Sequence, residues 1–140
     1  MPISVESTFD FYLRDIRIGG RIDRIDQYAD GTIEIIDYKT GSNLPEEKDL
    51  KKNLQLTTYA LAATMIKNNF FNKRPEQVKL SLCFIEENKT FTTIRTGEQL
   101  ELAKEELWAK AKEIEASNFL CNRSLFCGNC EYKMLCRTKN

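Results

Sequence analysis

The chain has 140 residues, 41% of them hydrophobic and 30% charged, which is the composition of one ordinary globular domain rather than a disordered or fibrous chain. Lys+Arg and Asp+Glu number 21 each, and a pI near 6.4 excludes a domain that holds nucleic acid by bulk positive charge. The absence of histidine excludes histidine general bases, Ser-His-Asp and Cys-His nucleophile systems and histidine metal ligands. Any chemistry must come from carboxylates, lysines and cysteines.

The first third of the chain has the period-two pattern of β-strands. Apolar residues alternate at 9–13 and again at 16–18, a Gly-Gly pair follows at 19–20, and a longer strand covers 21–26. Asp30-Gly31 predicts a hairpin turn, with 32–39 as the returning strand. This returning strand has apolar residues on both faces, which indicates a buried, central position in the sheet.

The middle of the chain changes to helical spacing. A helix is predicted over 49–70. Its shared apolar face is predicted to contain Leu50, Leu54, Leu61 and Met65. Past Pro75, strands at 78–84 and 91–95 are predicted on either side of a turn at 86–88.

A second helix is predicted from Thr96, whose spacing to Gln99 matches a capping box, to about Ser117. Its predicted buried residues are Leu100, Leu107 and Ile114. The remaining residues are irregular and rich in cysteine. The order of elements predicts an α/β (α+β) fold with a central mixed sheet flanked by helices.

Two aspartates interrupt this otherwise apolar sheet. Asp23 lies seven residues before Asp30 and Asp37 six residues after Gly31, so hairpin pairing predicts that the two carboxylates lie roughly opposite one another. Neighbouring like charges are destabilising without a shared cation, which predicts a hard-metal site for Mg²⁺ or Mn²⁺. The simpler alternative is an ion pair between Asp37 and Lys39, two residues apart.

The segments GRIDRID, IIDYKTG and LQLTTYALA occur in the order and spacing typical of one nuclease family. Together they resemble the RecB-like branch of the PD-(D/E)XK nuclease superfamily, which implies a restriction-endonuclease-like fold. By that resemblance Asp23 and Asp37 are metal ligands together with the carbonyl of Tyr38, and Lys39 is the catalytic lysine. Gln55 and Tyr59 match the family's Gln-xxx-Tyr motif and would face the metal site, although a polar helix face explains their spacing equally well.

Positive charge near these motifs is consistent with DNA contact, and Arg21 and Arg24 are its predicted contact residues. Such patches also occur on ordinary solvated surfaces. For Arg24, an alternative is a charged strut with Asp26 behind the site.

Cysteines are concentrated at the C-terminus, where Cys127, Cys130 and Cys136 have C-x2-C-x5-C spacing. The segment LFCGNCEYKMLC resembles the last three cysteines of iron-staple nucleases, namely AddB-type helicase–nuclease subunits and CRISPR-adaptation nucleases. That resemblance implies an iron–sulfur cluster whose fourth cysteine lies far upstream, and no cysteine precedes Cys83 here. An all-cysteine zinc site that includes Cys121, a metal-free tail and a disulfide are the alternatives.

The resemblance implies a metal-dependent DNA exonuclease domain within a helicase–nuclease that repairs double-strand breaks, with DNA and a helicase–nuclease subunit as partners. A CRISPR-adaptation or phage exonuclease, and an inactive structural or DNA-end-binding module, are the alternatives. Residues 1–118 are predicted to form the nuclease core without the family's N-terminal helix, and 119–140 a tail packed on it, which favours a domain excised from a longer protein. The sequence shows no signal peptide or membrane span, which predicts a cytoplasmic protein.

Overall fold

The computed structural model describes residues 1–68, 70–116, 125–134 and 136. In this part of the chain the strands and helices run in the order β1 (Pro2–Leu13), β2 (Ile16–Gln27), β3 (Ile33–Lys39), α1 (Glu47–Lys52), α2 (Leu54–Met65), β4 (Val78–Phe84), β5 (Lys89–Thr93) and α3 (Gly97–Glu115). Two short 3₁₀ turns lie at Pro75–Gln77 and Leu125–Asn129. The chain forms two compact units, Met1–Trp108 and Ala109–Asn140, and the sheet belongs to the first.

The five strands form one sheet in the order β1-β2-β3-β4-β5. Only the pairing of β3 with β4 is parallel among these strands, and the segment containing α1 and α2 supplies the crossover that a parallel pair requires. Isoleucines of β2 and β3 and leucines of α2 are fully buried in a common core cluster; these are Ile22, Ile25, Ile33, Ile35, Leu56 and Leu61. The predicted mixed sheet with β3 at its centre is therefore confirmed.

The Gly-Gly pair does not separate two strands as the sequence pattern suggested, because β2 continues through it. Gly20 pairs with Phe9 and Gly19 with Asp10 on β1. A β-carbon on Gly20 would lie 2.9 Å from Cζ of the Phe9 ring. Gly20 is therefore required by the close approach of Phe9 within a continuous strand, rather than by a turn.

The single helix predicted over 49–70 is wrong in two respects. Asn53 separates α1 from α2, and its side chain accepts a hydrogen bond of 2.9 Å from the Leu56 amide, which starts a new helix. The second helix ends at Met65 rather than at Phe70. The Asn68 side chain accepts a 2.7 Å hydrogen bond from the Phe71 amide, so the backbone after the helix turns instead of continuing it.

The interruption also changes which leucines are buried. Leu50 is buried, whereas Leu54 is 59% exposed in the first turn of α2, so the predicted common apolar face of these two leucines is wrong. A common helical face cannot be extrapolated across Asn53, because the extended backbone of this residue interrupts the helical rotation. This exposed leucine directly precedes Gln55.

The capping box at the start of α3 is confirmed. The Thr96 amide donates to Gln99 Oε1 at 2.9 Å, and the Gln99 amide donates to Thr96 Oγ1 at 3.2 Å. Leu100 is buried, but Ile114 is exposed and does not belong to the core cluster of the sheet, so its predicted burial is wrong. The preceding strand β5 ends at Thr93 instead of residue 95.

Candidate active site

Asp37 is a buried carboxylate near the end of the central strand β3, with a relative exposure of 3%. Its Oδ1 atom accepts a 2.9 Å hydrogen bond from Gln55 Nε2 and lies 3.1 Å from the Tyr59 hydroxyl. Its Oδ2 atom lies 2.6 Å from Lys39 Nζ. Lys39 is the ion-pair partner of Oδ2, and no further hydrogen-bond partner of this oxygen lies among the described residues. One oxygen is thus held by α2, while the other has only a cation beside it.

Gln55 connects the Asp37 carboxylate to the neighbouring Lys39 ammonium. Its carbonyl oxygen Oε1 accepts a 2.7 Å hydrogen bond from Lys39 Nζ, while its amide nitrogen donates to Asp37 and, at 2.9 Å, to the Tyr59 hydroxyl. A glutamine suits this position because its amide is both donor and acceptor, and can bind an ammonium and a carboxylate at once. The predicted residues on β3 and α2 are therefore brought together in one hydrogen-bond network.

Tyr59 completes the network one helical turn after Gln55. Its hydroxyl lies 3.0 Å from the main-chain carbonyl of Arg21, so its hydrogen is shared between that carbonyl and Asp37. Burial raises the pKa of the Tyr59 phenol above its usual range, and the charge of Asp37 raises it further. The group therefore remains protonated and serves as a hydrogen-bond donor at the junction of β2, β3 and α2.

Asp23 lies beside this network, as hairpin counting predicted. The antiparallel pairing of β2 with β3 ends at Arg24 and Ile36, which are the direct neighbours of Asp23 and Asp37 along their strands. Asp23 Oδ2 accepts a 2.8 Å hydrogen bond from the Tyr38 amide. The carboxylate is partly exposed, so an oxygen donor is available at the surface next to the buried Asp37.

The chemistry of these groups suits a hard divalent cation. Carboxylates of Asp23 and Asp37 and the carbonyl of Tyr38 are oxygen donors, and Oδ2 of Asp37 is a buried oxygen that, among the described residues, has only the Lys39 ammonium beside it. Within the described ranges no group of three or more Cys, Asp or Glu is placed to hold a metal ion. Mg²⁺ is commonly bound by one or two carboxylates, with waters and substrate phosphates as the remaining ligands, so these residues fit it.

The two arginines predicted to contact DNA both face carboxylates. Arg24 forms a bidentate pair with Asp26, with Nε–Oδ1 and Nη2–Oδ2 distances of 2.7 Å, and its hydrogen bonds lower the pKa of Asp26. Nη1 of Arg24 also lies 3.4 Å from the Tyr38 hydroxyl. Arg21 pairs with Glu6 at the surface. This geometry matches the strut that was the alternative interpretation of Arg24.

The described cysteines of the C-terminal tail, unlike the residues around Asp37, do not form a buried network. Cys127, Cys130 and Cys136 are all exposed, and no group of them is placed to hold a metal ion in the described part of the tail. Cys121, a ligand in the alternative zinc site, lies outside the described residues. The arrangement of the described cysteines therefore does not fit a metal cluster.

Arg95 is a residue that the sequence did not reveal. Its side chain is 2% exposed, and its guanidinium donates at 2.9 Å to the Thr57 hydroxyl and at 2.7 Å and 3.4 Å to the carbonyls of Leu50 and Asn53. Burial lowers the pKa of this guanidinium. Arg95 fixes the junction of α1 and α2 two residues before Gln55. Its acceptors at Leu50, Asn53 and Thr57 lie far away in sequence, so no local pattern could have identified this role.

None of the described helices combines the length and apolar character needed to cross a membrane. No curated protein matches the chain. A family model described as the PD-(D/E)XK nuclease superfamily matches residues 1–137. That match covers almost the whole sequence, including every residue of the network around Asp37, and shows that the chain belongs to the PD-(D/E)XK superfamily of nucleases, which use divalent metals such as Mg²⁺ or Mn²⁺.

Proposed function

We propose that this domain hydrolyses DNA phosphodiester bonds at the site formed by Asp23, Asp37 and Lys39, with Mg²⁺ or Mn²⁺ as cofactor. The observation that carries the proposal is the amide of Gln55, which binds Lys39 at 2.7 Å and Asp37 at 2.9 Å. A lysine held beside a buried carboxylate by a neutral amide keeps the two opposite charges next to each other at the end of β3. This is the arrangement needed to bind a cation and to stabilise a reacting phosphate together.

Each residue then has a defined role. Asp37 Oδ2, Asp23 and the Tyr38 carbonyl would hold the cation, which when bound supplies a nucleophilic water and offsets phosphate charge. The Lys39 ammonium would orient the attacking water or stabilise charge on the phosphate oxygens. Gln55 and Tyr59 act on Asp37 and Lys39 as positioning residues, because their hydrogen bonds fix the carboxylate orientation.

The direct test is Mg²⁺-dependent cleavage of single-stranded DNA by the protein and its Asp37→Ala variant. We expect loss of cleavage in the variant with its circular dichroism spectrum unchanged. Asp10→Ala is a matched control, because Asp10 is an exposed carboxylate on β1 that pairs with Arg17 away from the site. DNA binding without cleavage by the unaltered protein at every Mg²⁺ and Mn²⁺ concentration would favour a structural or DNA-end-binding module instead.

A finer proposal concerns the biological setting. The similarity of the three motifs to the RecB-like branch supports an exonuclease, acting with a helicase–nuclease partner of the AddB type in double-strand-break repair in the cytoplasm. In this proposal residues 1–118 form the catalytic core and 119–140 an accessory tail. An exonuclease degrades linear single-stranded DNA but spares the same sequence when it is circular, so cleavage of the circle would contradict this assignment.

The native role of Cys127, Cys130 and Cys136 is proposed from their spacing and from the resemblance of LFCGNCEYKMLC to the iron-staple nucleases. An iron–sulfur cluster, or alternatively zinc, would need further ligands or a different arrangement from that of the described tail. Anaerobic purification followed by iron and sulfide analysis tests the assignment. A brown protein whose colour is lost in Cys130→Ser supports the cluster, while colourless protein with bound zinc contradicts it.

A further inference from the structure

Arg95 is a buried cation that the proposed catalytic roles do not use. It lies between β5 and α3 in the sequence, and its side chain is 2% exposed. The guanidinium donates to the Thr57 hydroxyl at 2.9 Å and to the carbonyls of Leu50 and Asn53 at 2.7 Å and 3.4 Å. Its remaining nitrogen donates to the Ile94 carbonyl at 3.0 Å. All of these acceptors are neutral oxygens, so the positive charge is held by dipoles rather than by a carboxylate.

Packing alone does not account for a charged side chain at this position. Burial removes the hydration of the guanidinium, and an apolar side chain of similar volume often replaces a buried charge with equal or greater stability. An apolar side chain cannot, however, direct hydrogen bonds to fixed points of the backbone. The planar fork of an arginine holds several acceptors in one geometry. The contacts of Arg95 therefore favour a role in positioning the backbone over a role in filling the core.

Two of the residues that Arg95 contacts lie on either side of Gln55 in the sequence. Asn53 is the N-cap of α2 and Thr57 lies in its first turn, two residues before and two residues after Gln55. The Thr57 hydroxyl also donates to the Asn53 carbonyl at 2.9 Å, so the guanidinium, the hydroxyl and the carbonyl tie this turn together. Side chains two residues apart on an α-helix point about 200° apart. Arg95 therefore holds the turn from the side opposite to that of Gln55.

Gln55 depends on the helix backbone for its position. It lies in the first turn of α2, where backbone amides have no acceptor within the helix and helix ends fray. Its side chain is exposed, so packing does not enclose it. Its amide nevertheless meets Lys39 at 2.7 Å and Asp37 at 2.9 Å. A rotation of this turn about the helix axis would displace both contacts at once.

We propose that Arg95 is a positioning residue of the active site, which fixes the first turn of α2 and thereby sets where the Gln55 amide lies between Lys39 and Asp37. Arg95 is outside the motifs that the sequence shares with the family, and it reaches the two charged groups only through Gln55. For its effect on metal binding and cleavage, this inference rests on the proposed nuclease function.

The first test uses the protein in EDTA buffer, without metal or DNA. NMR measures how fast the side-chain amide protons of Gln55 exchange with water in the unaltered protein and in Arg95→Lys. Lysine keeps the charge but has a single nitrogen, so it cannot hold the same acceptors together. We expect exchange to be about tenfold faster in Arg95→Lys, because the first turn of α2 opens more often.

Ile33→Val is the control for a general loss of stability. It removes one methylene from the buried core at the start of β3, the end of that strand away from Asp37. Exchange of the Gln55 amide should stay close to that of the unaltered protein in this variant. Equal acceleration in Ile33→Val and Arg95→Lys, or no acceleration in Arg95→Lys, would overturn the inference.

The second test asks whether Arg95 acts through Gln55. Isothermal titration gives Mg²⁺ affinities for Arg95→Lys, Gln55→Ala and the double variant. We expect Arg95→Lys to weaken Mg²⁺ binding about tenfold, as the loss of a residue that orients metal ligands does, but to have no further effect once Gln55 is replaced. The same loss in both backgrounds, or no loss in either, would contradict this route.

Thr57 provides a second pair of variants if Arg95→Lys does not fold. Thr57→Val removes the hydroxyl that accepts the hydrogen bond from Arg95, while Thr57→Ser keeps a hydroxyl there. We expect faster exchange of the Gln55 amide in Thr57→Val and exchange close to that of the unaltered protein in Thr57→Ser. Identical rates in the two variants would contradict the inference.

The amide exchange experiment also separates this inference from the proposed function, because it needs neither metal nor substrate. If Gln55 responds to Arg95→Lys but the unaltered protein never cleaves DNA, the positioning by Arg95 stands and the nuclease assignment fails. If the protein cleaves DNA but Gln55 does not respond to Arg95→Lys, the nuclease assignment stands and the inference is wrong.

Discussion

Lys39 and Gln55 are joined by a hydrogen bond of 2.7 Å between the ammonium and the side-chain carbonyl, across the boundary between the sheet and α2. The same amide binds Asp37 through its nitrogen. Because the two ends of one amide cannot move independently, the positions of the ammonium and the carboxylate are coupled. The orientation of α2 therefore sets the geometry of the two charged groups on β3.

Gln55→Ala should uncouple these groups without removing either charge. We expect cleavage activity and Mg²⁺ affinity to fall about 10- to 100-fold, the usual effect of losing a residue that orients metal ligands. Isothermal titration with Mg²⁺ and single-turnover cleavage measure the two effects. Gln77→Ala is the control, because Gln77 forms its hydrogen bonds with Arg74 outside this network. An unchanged Mg²⁺ affinity would show that Gln55 does not orient Asp37.

Tyr59→Phe removes one hydroxyl that two acceptors share. Since Asp37 is buried and the Arg21 carbonyl loses the same partner, the free energy of unfolding should fall by about 1–3 kcal/mol. Urea denaturation measures the change. Tyr12→Phe is a matched control, because the Tyr12 side chain is largely exposed and its hydroxyl can bind water. Equal stability of both variants would contradict the structural importance of the Tyr59 hydroxyl.

The location of the acidic pair was predictable from the sequence because strand geometry is strictly periodic. Counting from the Asp30-Gly31 turn predicts that Asp23 lies opposite Asp37, and the structure pairs the adjoining residues Arg24 and Ile36. The strand–helix contact to Gln55 was foreseen only through the motif resemblance. Spacing alone left a polar helix face equally acceptable for this residue.

The parts that were not predictable depend on contacts between distant segments. The exposure of Leu54 follows from the cap at Asn53, a residue whose local preference for capping competes with a long helical pattern. The burial of Arg95 follows from acceptors more than 35 positions earlier, the carbonyl of Leu50 among them. Neither contact leaves a periodic trace in the sequence.

The Arg24–Asp26 pair makes the free energy of unfolding depend on pH. Hydrogen bonds from Arg24 lower the pKa of Asp26 in the folded protein below its usual value of 3.8. Asp26 therefore binds a proton more readily in the unfolded chain than in the folded protein. The stabilisation of the fold by the Arg24–Asp26 pair is fully present above the unfolded pKa of Asp26 and is lost as the pH falls through its folded pKa.

We expect the stability advantage of the unaltered protein over Asp26→Asn to shrink as pH is lowered from about 6 to about 3, as measured by urea denaturation. In Arg24→Met the pKa of Asp26, followed by carboxyl NMR shifts, should rise. A constant stability difference across this pH range would contradict the pair's contribution.

The Phe9 ring links Gly20 to the active site. It lies so close to Gly20 that an added β-carbon would be 2.9 Å from Cζ, and it packs edge-on against Tyr59 with ring centroids 5.9 Å apart. Gly20→Ala should push this ring toward Tyr59 and destabilise the fold by about 1–3 kcal/mol, as overpacking does. Mg²⁺ affinity should fall too, because Tyr59 positions Asp37.

A double-mutant cycle separates this clash from a general effect of replacing glycine. Phe9→Leu removes the ring, so Gly20→Ala should cost less in that background than in the unaltered protein, by an interaction energy of about 0.5–3 kcal/mol. Gly97→Ala serves as the control, because a β-carbon there meets nothing within 4 Å. If Gly20→Ala has the same effect with and without the Phe9 ring, its cost arises from the β2 backbone, and the proposed link from Gly20 through Phe9 to Tyr59 fails.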